Sequence, residues 1–93
     1  MTNKFHSLDN LYTYIQNAKK IDFLESQIAI KEDDLNHFNS MQVMYETLGL
    51  EMLVEDTVKR YNKIAKEKIK LQLKKNLVER EMLEFELGVL EEE

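Results

Sequence analysis

The chain has 93 residues, no Cys, no Pro and only two Gly, and its 13 basic and 18 acidic side chains leave a net charge of −5. Absent thiols exclude disulfides and zinc–thiolate sites, and no apolar run approaches the roughly 18–20 residues of a membrane span. What remains is a small acidic protein of good helix formers, too short to bury a large core unaided, for which self-association is the available route to stability.

The amino end lacks the apolar core of a secretory signal, which predicts a cytoplasmic protein. The first helix is predicted over about residues 8–38, with Ser7 or Asp9 capping its free N–H groups. Tyr14, Ile21, Ile28 and Leu35 recur every seven residues, and Leu11, Ala18, Leu24 and Phe38 fill the same side. Such a seam, held for four heptads, predicts a coiled-coil-like helix pair. Phe23 and Ile30 lie off it, seven apart, as a strip for a further helix or a second subunit.

Asn36-His37-Phe38-Asn39-Ser40 is the dense cluster of turn-compatible residues, and Asn39 with Gln42 resembles a capping box. The chain is therefore expected to reverse at about 39–40 and to continue as a long second helix over about 40–91. Gly49 lies inside that helix with no other breaker beside it. It reads as a kink or a tolerated glycine, at ~1 kcal/mol against Ala. Met41, Met44, Met52, Phe38 and Tyr45 are expected to plug the closed end. From Leu50 onward apolar residues cover more than half the helix circumference, so one neighbouring helix cannot satisfy them.

Charge is sorted in blocks: −6 over residues 1–58, +7 over 59–80 and −6 over 81–93. Folding about residue 39 sets the basic block beside residues 1–19, which carry one acid, Asp9, and leaves about 30 Å of the second helix overhanging. An overhang that apolar predicts an antiparallel homodimer about Val78, with Leu71, Val78, Met82, Phe85 and Val89 at the interface. The opposed charges then choose the orientation, at ~0.2–1 kcal/mol per exposed pair.

Lys59, Lys63, Lys66, Lys70 and Lys74 form a stripe on one helix face, suited to a phosphate or an acidic protein or, more simply, to keeping the helix solvated. The net acidity and the lack of an Arg-rich reader motif weigh against nucleic acid. Asp33 and His37 stand at i, i+4, but only His6 remains as a further imidazole, so no metal site is predicted. No nucleophile motif or phosphate loop is present, and neither an enzyme nor a cofactor is expected.

The expectation is thus a single all-α domain over 1–93, a two-helix antiparallel hairpin dimerising through its C-terminal helix. It would act without catalysis on one unidentified protein partner, as adaptor, assembly chaperone or inhibitor. Nucleic-acid association through the lysine stripe is the first alternative. The second follows from length and layout, which resemble the small type VII secretion substrates, whose hairpin turn carries Trp-x-Gly. The corresponding place here is Thr47-Leu48-Gly49, without the Trp, so the resemblance extends to layout and one Gly. It implies a leaderless exported hairpin.

Overall fold

A computed structural model describes residues 8–92, with side chains described for residues 8–88. It consists of two long helices, α1 (Leu8–Thr47) and α2 (Glu51–Glu92), joined by Leu48-Gly49-Leu50 as an all-α hairpin. The helices are nearly equal, 40 and 42 residues, rather than short and long. Asp9 lies in the first turn of α1, where its charge suits the helix dipole. Ser7, the other expected cap, lies outside the described residues.

The reversal expected at 39–40 does not occur. α1 runs through Asn36–Ser40 to Thr47, and Gly49 just beyond it is a terminator and not a tolerated helix residue. Its φ of +72° is left-handed, where L side chains are strained. The Leu50 N–H donates to the Tyr45 carbonyl (2.9 Å) and the Gly49 N–H to that of Glu46 (3.1 Å). This 6→1 and 5→2 pair is a Schellman motif, which satisfies carbonyls the helix end leaves free. Asn and Ser tolerate turns but do not compel them, whereas apolar spacing carries the helix past them.

That spacing is a strict alternation of three and four. On α1 the inward positions are Tyr14, Asn17, Ile21, Leu24, Ile28, Lys31, Leu35, Phe38, Gln42 and Tyr45, all buried or half-buried. On α2 they are Val54, Thr57, Tyr61, Ile64, Lys68, Leu71, Lys75, Val78, Met82 and Phe85, again all buried or half-buried. Read antiparallel, every member of the first set has a counterpart in the second at a level where the two numbers add to 99.

The helices divide into two compact units: Met1–Glu25 with Leu73–Glu93, and Ser26–Gln72. In the first, the Tyr14 and Phe85 rings lie 5.6 Å apart, and the Tyr14 hydroxyl donates to Glu86 at 2.6 Å. That hydrogen bond, with some burial and the carboxylate charge, pushes the phenol pKa up. Lys75 meets Glu25 of α1 at 3.3 Å and Glu79 of its own helix at 3.4 Å. The bond to Glu25 contributes most to raising the Lys75 ammonium pKa.

In the Ser26–Gln72 unit, Lys31 pairs with Glu67 at 2.9 Å and Lys68 with Glu32 at 3.0 Å. Their bond raises Lys31 and lowers Glu67 from the ordinary values. Glu67 therefore supports folding above the usual carboxylate range, and loses that role as pH falls through its depressed pKa. Lys31 supports it up to the usual lysine range, and loses that role as pH rises through its elevated pKa.

These pairs correct the expected electrostatics as well as the turn. With the chain reversed at Gly49, the basic block lies level with residues 19–40, which contain Asp22, Glu25, Glu32, Asp33 and Asp34. The hairpin thus answers part of its own basic block, and α2 has no 20-residue overhang. Leu71, Val78, Met82 and Phe85, expected at a dimer interface, are half-buried in the seam against α1. The Val89 side chain lies outside the described residues.

α2 starts without a side-chain cap. The Leu50 carbonyl accepts from the Leu53 and Val54 N–H groups, both at 3.1 Å, so Leu50 occupies the N-cap position with an aliphatic side chain. Leu50→Asp should raise stability by about 1 kcal/mol, read as a higher thermal midpoint in circular dichroism.

Candidate interaction surface

Two facing helices bury one stripe each and no more. Among the described residues only Asn17 and Thr57 are buried polar groups, and no large side chain is fully buried. Thr57 is satisfied locally, its hydroxyl donating to the Leu53 carbonyl at 2.7 Å. Asn17 is over nine-tenths buried, level with Met82, and no described residue hydrogen-bonds its side-chain amide. Among the described residues seventeen large apolar side chains are substantially exposed.

In the Met1–Glu25 and Leu73–Glu93 unit, the outward face of α2 carries Leu73, Leu77, Leu83 and Leu87, between 49% and 62% exposed. Their spacing confines them to an arc of about 120° on the side away from the seam. Between the helices of this unit lies an open groove of about 510 Å³. Phe23, Leu24, Leu77 and Val78 form its apolar part, with Lys19, Lys20 and Lys74 at the rim. Phe23 thus stands off the seam as its spacing predicts, and so does Ile30 in the other unit; both are more than half exposed.

The five stripe lysines, Lys59, Lys63, Lys66, Lys70 and Lys74, are all exposed on α2, and none forms an ion pair among the described residues. Lys59, Lys63, Lys66 and Lys70 stand with Asn62 and Glu67 around a shallow depression. The lysines that do pair, Lys68 and Lys75, belong to the seam.

Of the residues expected at the closed end, Phe38, Met41 and Tyr45 are half-buried, while Met44 and Met52 point outward. His37 is exposed, its ring 5.6 Å from that of Phe38. His6 lies outside the described residues. Among those described, no group of three His, Asp or Glu side chains could hold a metal ion, and no helix is long and apolar enough to cross a membrane.

The outward leucines were hidden in sequence within one undivided apolar arc. The three–four spacing separates them: Leu71, Val78 and Phe85 continue the seam repeat, and Leu73, Leu77, Leu83 and Leu87 do not. Comparison with protein-family models, curated proteins and solved structures gives no match.

Proposed function

We propose that this chain is a non-enzymatic interaction module of the cytoplasm, a coiled-coil hairpin that works as a homodimer and offers its remaining apolar surface to one protein partner. The supporting observation is the apolar surface left open by the hairpin, seventeen large side chains among the described residues with exposure of 36% or more. Covering the exposed half of such a side chain gains about 1 kcal/mol. Two copies joined through the four outward leucines of α2 would cover eight such side chains, a gain of about 8 kcal/mol, within the ~4–15 kcal/mol range of the cost of association.

Light scattering on the eluted protein tests the dimer. The expected mass is twice the 11.1 kDa of the chain. A single-chain mass with full helicity at tens of micromolar would end the homodimer reading.

The unpaired lysines favour a second reading, an anionic ligand along α2. If that ligand is nucleic acid, a low-salt gel shift should vanish steeply with added salt, and Lys63→Glu with Lys70→Glu should abolish it. The Thr47-Leu48-Gly49 position at the turn favours the exported-hairpin alternative, for which the protein would be recovered from culture supernatant.

A further inference from the structure

We propose that the outward face of α2 is the self-association surface, on which a second copy lies antiparallel with a two-fold axis at Arg80. This rests on the homodimer reading and specifies its geometry.

Two independent features centre on the same residue. The first is the outward leucine row. Leu73 and Leu87 each stand seven residues from Arg80, and Leu77 and Leu83 each stand three from it. A two-fold axis through that level carries the row onto itself, as an isologous interface requires. All four are exposed, and the repeat that packs α2 on α1 uses none of them.

The second is the sign of the charge. It reverses between Arg80 and Glu81, from +7 over residues 59–80 to −6 over 81–93. Two copies laid parallel would set lysine on lysine and glutamate on glutamate. Laid antiparallel about Arg80, residues 67–79 of each copy, with four lysines against two glutamates, meet the acidic residues 81–93 of the other. Within a chain, α1 answers the basic block through Glu25 and Glu32, but residues 81–91 lie level with 8–18, where Asp9 is the one charged residue. Lys70 and Lys74 remain without ion pairs among the described residues and suit that acidic half.

The axis itself is not a site of repulsion. Each Arg80 guanidinium is held by Glu84 of its own chain at 3.2 Å, so the two copies bring neutral pairs together. The row from Leu73 to Leu87 spans about 21 Å of helix, four turns of contact.

The chain contains no cysteine, so a single introduced thiol can form a disulfide only between copies. Under mild oxidation Arg80→Cys should yield a covalent dimer. At about 10 μM protein it should form about a hundredfold faster than Ile30→Cys, the ratio of a millimolar local concentration to the bulk one. Leu73→Cys mixed with Leu87→Cys should give more mixed dimer than either variant alone gives of its own. Leu77→Lys with Leu83→Lys, both exposed in the hairpin, should keep helical circular dichroism and lose the two-chain mass.

Equal crosslinking at residues 80 and 30, with a two-chain mass retained, would overturn the Arg80 axis and leave the homodimer standing on another face. A single-chain mass for the unaltered protein would remove both. If the double-lysine variant fails to fold, the cysteine pairs still decide.

Discussion

Asn17→Leu should raise the thermal midpoint by roughly 10 °C, the shift expected from about 2 kcal/mol in a domain of this size. Asn17 occupies a seam position on α1 that leucine or isoleucine fills at Leu24 and Ile28, and it is 8% exposed. Its amide lost water on folding and has no hydrogen bond from any described residue, a penalty of ~1–3 kcal/mol. Leucine removes the penalty and adds apolar contact level with Met82. Melting curves at one fixed protein concentration measure the effect, because association also shifts the midpoint. A midpoint unchanged or lowered would mean that the amide is satisfied in solution. A buried Asn in a helix seam fixes register at a cost in stability. The leucine variant should therefore pair its helices more tightly and less selectively.

Gly49→Val should destabilise the hairpin by about 2 kcal/mol or more. The left-handed conformation costs an ordinary L residue ~1–2 kcal/mol, and β-branching makes it worse. A Cβ at this position would meet nothing within 4 Å, so the loss is conformational and not a clash. Gly49→Asn separates the two causes. Asparagine enters the left-handed region readily, so it should retain most of the stability that valine loses. Denaturant titration of the three proteins reads the order Gly, Asn, Val. Valine at wild-type stability would show that the chain can turn elsewhere.

The all-helical hairpin was legible because it rests on periodicity, which survives in sequence without any tertiary information. Tyr14, Ile21, Ile28 and Leu35 announce α1, and the seven-residue repeat passes unbroken through Gln42. Its companion row, Leu24, Lys31, Phe38 and Tyr45, was harder to see because Asn17 and Lys31 interrupt its apolar character. Without that row, Asn36–Ser40 looks like an end. Side-chain preference is a weaker signal than backbone need: Asn and Ser permit a turn, while a left-handed residue at a helix end calls for glycine. Everything built on register moves with the turn. A shift of the pivot by about ten residues places Leu71, Val78, Met82 and Phe85 in the seam against α1. It also gives Lys68 and Lys75 carboxylate partners on α1. The lysine stripe needed only helical spacing, and it stayed on the exposed face.

The Schellman turn at Gly49 also orders how the chain can assemble. Its own hydrogen bonds join residues five or fewer apart, whereas Lys31 and Glu67 are 36 apart and Tyr14 and Glu86 are 72 apart. Each level that forms next to the turn shortens the loop that the next level must close, so the entropy of closure is met in small steps and not in one large one. Folding then resembles a zipper drawn from Gly49 outward. The Tyr14–Phe85 end closes last and, when the helices breathe, parts first.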